Sequence, residues 1–335
     1  MTRVVVRLVL AFGLLSLAAL GGALPAAAAA ERVKARLSFT PFAAHIPLYV
    51  AAGKGYFTEN GLDVEILPGQ GSGFATQVVG SGTEQFAIAD AASVVTARSR
   101  GVPIVSLGNL QQDSGVALFA TVRSGIKKPE EIRGRNVGVF AGSTTEIFLK
   151  ALLKKYGMTM NDIKPVIVRP GGDLPLVLDG RIEAMSTVYN NELTAWKIQQ
   201  PQLELRIWRM SGLGLDAPGY AVITNEAFLR DKPQVVRGFV AATFKALDYA
   251  LSHPEEAVDL MVKRVPELKA SLEQAKWQAM IPAATSPVTE KRGLGAHDRA
   301  KWQALADLLK TYEVIKQDVN LDALLKDEYL PRKGN

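Results

Sequence analysis

The sequence predicts an α/β protein of two lobes, each a mostly parallel sheet flanked by helices, with a helical C-terminal region. Three observations carry that reading. Short apolar runs rich in β-branched residues and bounded by Gly or Pro alternate with helical stretches up to residue 220, the pattern of parallel sheets covered on both faces. Two β-rich stretches, 116–122 and 219–224, enter and leave the second group of alternating elements, as two chain crossings at a hinge would. Beyond Tyr220 the texture changes to amphipathic helices.

In order, the first unit carries strands at 33–39, 62–67, 85–88 and 102–107, with helices at 47–54, 74–81 and 91–100 between them. The second carries strands at 136–140, 164–168, 184–188 and 203–208, with helices at 144–156, 173–180 and 191–199. A further strand at 221–224 leads to Asn225, a residue type that caps helices. Pro233 sits in the first turn of a longer helix whose Val235, Val236, Phe239, Val240, Phe244, Leu247 and Leu251 fall on one face. Helices near 254–265, 267–280 and 298–312 follow, the last with a core-type stripe of Trp302, Leu305, Leu308, Leu309 and Tyr312. The expected organisation is a signal at 1–30, a discontinuous first lobe at 31–119 and 224–335, and a second lobe at 120–223.

The 335 residues are 48% hydrophobic and 21% charged, a globular mixture with enough apolar chain for a sizeable core. Arg3 and Arg7 precede an uncharged apolar stretch at 8–24, Pro25 ends it, and Ala28-Ala29-Ala30 fits the small-x-small cleavage rule. The expectation is export, with cleavage near Ala30. Removal of Arg3 and Arg7 lowers the formal charge from +6 to +4. The basic residues are spread without an aromatic-interleaved stripe, which argues against nucleic acid as a partner. The absence of Cys excludes disulfides, thiolate metal sites and a Cys nucleophile.

Of the three histidines, His45, His253 and His297, none has a second ligand at metal spacing, and no metal or cofactor is expected. No nucleophile elbow, Walker loop or dinucleotide fingerprint occurs; Gln70-Gly71-Ser72-Gly73 is glycine-rich without completing one. What remains is a set of loops at the C-terminal ends of the strands, where open α/β sheets bind ligands. They hold Thr40-Pro41-Phe42, Gly69 to Gly73 with Ser72, Asp90, Gly142-Ser143-Thr144-Thr145, Gly171-Gly172-Asp173, and Tyr189-Asn190-Asn191-Glu192. Gly142-Ser143-Thr144 reads equally as a capped helix start and as an acceptor- or anion-binding helix end. Asp90 reads as a helix cap or as a ligand acceptor. Tyr189-Asn190-Asn191-Glu192 offers a stacking face, a donor–acceptor amide and a carboxylate suited to an exocyclic amine; the structural alternative is a helix start whose Glu complements the dipole.

TPFAAHIPLYVA at 40–51, GKGYF at 53–57 and NGLDV at 60–64 resemble the opening of periplasmic substrate-binding proteins of ABC importers, in the branch of thiamine-pyrimidine-precursor, sulfonate and nitrate binders. SGI at 124–126, PEEIRG at 129–134 and VG at 137–138 are similar to that family's entry into its second lobe. The resemblance implies a two-lobed type II periplasmic-binding-protein-like fold that closes over a small solute, acts as a monomer and docks on a membrane permease. Pro41, His45 and Tyr49-Val50-Ala51 match the pattern of its pyrimidine binders, and Tyr189, Asn190 and Glu192 match the general form of their acid-bearing segment. Phe39 stands where those proteins often have Trp and Phe42 where they have Asn, while Gly71-Ser72-Gly73 is more like the sulfonate and nitrate binders. A eukaryotic pyrimidine synthase of the same fold depends on a cysteine-rich motif that a chain without Cys cannot supply.

Three readings follow. In the first, a flat aminopyrimidine thiamine precursor or related N-heterocycle stacks on Phe42 or Tyr189, and Asn190 and Glu192 bond its polar edge. In the second, an alkylsulfonate or nitrate sits on Ser72, Ser143, Thr144, Thr145 and helix N-termini, where a cleft-facing Glu192 would repel it. The third is an exported enzyme, for which no nucleophile–base pair is apparent. The expected ligand-binding set is Pro41, Phe42, His45, Ser72, Asp90, Gly142, Ser143, Thr144, Tyr189, Asn190 and Glu192.

Overall fold

The computed structural model describes residues 30–169 and 171–331. The expected signal thus lies, apart from Ala30, outside the described residues. The chain begins with β1 (Glu31–Arg36), α1 (Ile46–Gly53), α2 (Tyr56–Glu59), β2 (Leu62–Leu67), α3 (Ser72–Gly80), β3 (Phe86–Asp90), α4 (Ala91–Ser99) and β4 (Ile104–Asn109). It continues with β5 (Val116–Thr121), β6 (Asn136–Val139), α5 (Thr144–Lys155), β7 (Lys164–Ile167), α6 (Asp173–Leu178), β8 (Ala184–Val188), α7 (Thr194–Gln199) and β9 (Leu205–Arg209). Then come β10 (Tyr220–Asn225), α8 (Glu226–Asp231), α9 (Pro233–Ser252), α10 (Pro254–Arg264), α11 (Ala270–Met280), α12 (Pro287–Arg292), α13 (Arg299–Thr311) and α14 (Leu321–Leu324).

Two five-stranded sheets result, in the orders β2-β1-β3-β10-β4 and β7-β6-β8-β5-β9. β1 runs parallel to β2 and β3, and β6 runs parallel to β7 and β8. Each sheet takes in one antiparallel strand at a crossing: β10 lies between β3 and β4, and β5 between β8 and β9. Because β5 already belongs to the second sheet and β10 to the first, both crossings fall a few residues before 120 and 224, where the sequence pattern put them. The central strands read FAIAD, VALFAT and YAVITN and are buried at every position, as strands covered on both faces must be. The edge strand β7 carries Pro165, whose missing N–H is harmless there.

The C-terminal helices complete the first lobe. Pro233 starts α9, and its buried Phe239 stacks on Phe86 of β3 with ring centroids 3.8 Å apart. Trp302 of α13 is fully buried, and its indole N–H donates to Asn109 Oδ1 at 2.9 Å. α11 reaches the second lobe, packing against α7 and the turn before it. α4 packs on α5 across the lobes, and one apolar core runs through that contact.

This topology brings chemistry to one place. The ends of β1, β3, β6 and β8 all face the gap between the sheets, as the ends of parallel strands do in ligand-binding α/β folds. β10 is antiparallel, so its first residue arrives there instead, and Tyr220 pairs with Asp90.

Candidate functional site

A hollow lies between the two lobes. Ser38, Phe39, Phe42, Ser72 and Tyr220 line it from the first lobe; Phe140, Ser143, Thr144, Thr145, Thr187, Asn191 and Glu192 line it from the second. The space among them is about 410 Å³, open solvent included. Phe39 and Phe140 meet across the gap with centroids 5.7 Å apart and planes at 67°. No Lys, Arg or His side chain is among the lining residues.

The first-lobe wall is built on His45. It is fully buried, and loss of solvation lowers its pKa to about 3, so it stays neutral. The Phe42 N–H donates to His45 Nδ1 at 3.3 Å. The proton is therefore assigned to Nε2, which donates to Ser38 Oγ at 2.8 Å. Ser38 is left to donate to the Tyr220 phenol, and that bond works against the strong upward shift that burial and the Asp90 and Glu192 carboxylates impose on Tyr220. His45 also packs edge-on against the Phe42 ring, centroids 4.5 Å apart. It positions Phe42 and Ser38 without lining the hollow.

Asp90 ends β3 and caps α4, accepting from Ala92 N–H at 2.9 Å. Its own N–H donates to Ser72 Oγ at 3.1 Å. Burial raises its pKa to about 7, against the hydrogen bonds from Ala92 and from Thr144 of the other lobe. It stands behind Ser72 and Thr144, just outside the lining. Ser143 caps α5, accepting from Glu146 N–H at 3.3 Å, and its hydroxyl donates to Phe140 O at 2.7 Å. The capped helix start and the cleft wall are thus the same residue.

Glu192 sits in a π-type turn, Tyr189–Leu193. Its Oε2 accepts from Thr187 Oγ1 and Val188 N–H, both at 3.1 Å, and Oε1 accepts from Asn191 Nδ2 at 2.9 Å. Three donors leave acceptor capacity on a carboxylate that takes about four. Burial first, and then the neighbouring Asp173 carboxylate, raise its pKa to about 7. Asp173, at the start of α6, is itself buried and shifted upward by desolvation.

Of the expected set, the structure brings Phe42, Ser72, Ser143, Thr144 and Glu192 together on the hollow. It does not bring Pro41, Gly142, Tyr189 or Asn190 there. Pro41 faces a separate depression with Tyr49 and Arg264. Gly142 lies on the outer side of the seam between the lobes. The π-type turn swings Tyr189 outward, where its ring lies under the Arg209 guanidinium at 4.7 Å. It also buries Asn190 against Gly115, so that Asn191, not Asn190, flanks Glu192 on the cleft. Phe39, Phe140, Thr187 and Tyr220 line the hollow and were not in the expected set. Phe39 and Phe140 each follow a strand and could have been counted with its loop; Tyr220 is placed only by the long-range pairing of β10 with β3.

The profile of the family described as NMT1/THI5 like matches residues 43–257. A 4-amino-5-hydroxymethyl-2-methylpyrimidine phosphate synthase of Candida albicans is 31% identical over 70% of this chain and 71% of its own. The riboflavin-binding protein RibY of Chloroflexus aurantiacus is 26% identical over 90% of this chain and 86% of its own. A formylaminopyrimidine-binding protein of Halalkalibacterium halodurans is 24% identical over 87% and 88%. Among solved structures, the periplasmic aliphatic sulphonate binding protein SsuA of Escherichia coli superposes with a TM-score of 0.65 at 15% identity, over 88% of this chain and 91% of that one. The fold is that of periplasmic binding proteins, and the chain belongs to the NMT1/THI5-like family.

Proposed function

We propose that this chain is the extracytoplasmic solute-binding component of an ABC importer, and that it closes over an aminopyrimidine thiamine precursor or a related small N-heterocycle. The observation that carries the reading is a part-buried, desolvated carboxylate, Glu192, on an otherwise aromatic and hydroxyl-lined hollow with no basic side chain. Such a wall suits a flat neutral ring whose exocyclic amine donates to Glu192. Phe39, Phe42 and Phe140 supply apolar faces, and Ser38, Thr187, Asn191 and Tyr220 supply polar edges. Closure dries the site and strengthens each bond. An analogue without the amine leaves Glu192 buried and short of a donor, which is the physical basis of rejection.

The relatives whose names give pyrimidine or flavin ligands support a nitrogen heterocycle. A sulfonate or nitrate would meet two carboxylates, part-buried Glu192 in the wall and buried Asp90 behind it, with no counter-charge among the lining residues. Catalysis by this chain is the weaker alternative. One relative is named as a synthase, whereas the absence of Cys and the binding-protein names of other relatives favour capture without turnover. In this reading the protein works as a monomer in the periplasm, and its closed form is what a membrane permease recognises. Among the described residues no helix is long and apolar enough to cross a membrane.

A thermal-shift screen tests the proposal. Ligand at about 100 times its dissociation constant adds roughly 2.7 kcal/mol of stability. Aminopyrimidines should raise the melting temperature, with no product formed on prolonged incubation. Stabilisation by sulfonates or nitrate alone would overturn the reading.

A further inference from the structure

We infer that Gly73 and Ser93, neither of which lines the hollow, form a seam between the lobes that holds them shut over the ligand. The inference rests on the solute-binding reading above and goes beyond it, because these residues touch no ligand.

The first part of the seam is a missing side chain. Gly73 lies in the first turn of α3, and its φ is not positive, so the backbone there does not demand glycine. The other lobe does. A Cβ on Gly73 would stand 2.5 Å from the carbonyl oxygen of Gly142, and one on Gly71 would stand 3.4 Å from the same atom. Both sides of that contact are backbone, so no flexible side chain can give way. The lobes reach this separation only because residue 73 has no Cβ.

The second part is a hydroxyl relay. Ser93 Oγ of the first lobe and Thr144 Oγ1 of the second are 2.8 Å apart and buried. Thr144 also bonds the Asp90 carboxylate. With Asp90 ionised, Thr144 donates to it and Ser93 donates to Thr144, so the chain runs from the first lobe to the second and back. Opening the lobes breaks two of its links at once and leaves Asp90 with its cap bond to Ala92 alone among these donors.

The seam separates the hollow from a wider outer cleft lined by Gln77 and Arg100 on one lobe and Lys150 on the other. A ring that fits inside lets both contacts form. A substituent that reached from the hollow into that outer cleft would have to part Gly73 from Gly142, and would forfeit the seam. Affinity for the ligand therefore depends on residues remote from it.

The experiment uses two readouts. The chain has no cysteine of its own, so spin labels on Gln77→Cys and Lys150→Cys report the width of the outer cleft. Gly73→Ala should lengthen that distance in the protein saturated with 4-amino-5-hydroxymethyl-2-methylpyrimidine. It should also weaken binding of 4-amino-5-hydroxymethyl-2-methylpyrimidine by about tenfold or more, since overpacking a rigid contact is costly. The melting temperature of the ligand-free variant should hold or rise, because Ala favours helix over Gly, which separates the effect from misfolding. Ser93→Ala should weaken binding by about fivefold, the scale of one lost hydrogen bond. Unchanged label distances in Gly73→Ala would overturn the seam, and so would unchanged affinity alongside longer distances. If the unaltered chain binds no aminopyrimidine, the functional reading falls, while a short-distance population of the ligand-free labels that Gly73→Ala abolishes would still support the seam, and one that it leaves intact would overturn it.

Discussion

Replacing Glu192 by Gln should make the ligand-free protein more stable and a worse binder, and the size of the first effect follows from the structure. The carboxyl titrates at about 7 in the folded protein instead of 4.5. An acid with a raised folded pKa contributes stability that is complete below its unfolded value and lost as pH rises through the folded one. The window is therefore pH 4.5 to 7. Across it the wild type loses about 3 kcal/mol that a neutral amide does not lose, since each tenfold change in proton affinity is worth about 1.4 kcal/mol. Gln keeps the geometry: its oxygen can accept from Thr187 and Val188, while its amide faces Asn191, whose own side chain can turn to present oxygen. Urea unfolding of both proteins at pH 5, 6, 7 and 8 measures the effect. The stability of Glu192→Gln relative to wild type should climb through that range and level off above it. Aminopyrimidine affinity at neutral pH should fall more than tenfold in the same variant, about 1.4 kcal/mol. Stability curves that run parallel across the pH range would refute the claim that Glu192 is a desolvated carboxyl, and unchanged affinity would remove it from the site.

Other outcomes can be checked in the same preparations. His45 is held neutral with a pKa of about 3, so the wild type should lose stability as pH falls from about 6.5 toward 3, and His45→Gln should flatten that dependence relative to wild type. Phe140→Leu should weaken binding of a flat ring several-fold and lower the unfolding free energy by about 1 kcal/mol, because leucine leaves part of the buried ring's space unfilled. Trp302→Phe removes the indole donor and leaves Asn109 Oδ1 buried without it, so unfolding free energy should fall by about 1–3 kcal/mol with ligand affinity unaltered.

The architecture was legible because it is written in local pattern. β3, β5 and β10 are short apolar runs between turn residues, and α9 shows its buried face at helical spacing behind Pro233. The ring of strand-end loops was legible for the same reason, since parallel strands deliver their C-terminal ends to one edge. The site was less legible where its geometry depends on distant parts of the chain. Tyr220 reaches the hollow because β10 inserts antiparallel beside β3, a pairing across more than a hundred residues that no local signal carries. The π-type turn at Tyr189–Leu193 changes which neighbours flank the acid, so the sequence pattern points to Tyr189, Asn190 and Glu192 while the fold presents Asn191 beside Glu192. His45 entered through resemblance alone, and Pro41 through its strand-end loop as well. His45 proved to be a buried support for Phe42 and Ser38, and Pro41 faces elsewhere.

Calorimetric titration at pH 7 with 4-amino-5-hydroxymethyl-2-methylpyrimidine, run in two buffers of different ionisation heat, tests the central claim most directly. The account predicts saturable one-to-one binding with release of about half a proton, because Glu192, half-protonated at that pH, ionises when an amine donates to it, and it predicts that the release disappears in Glu192→Gln. Absence of binding, or binding whose proton count is the same with and without the Glu192 carboxyl, would contradict it.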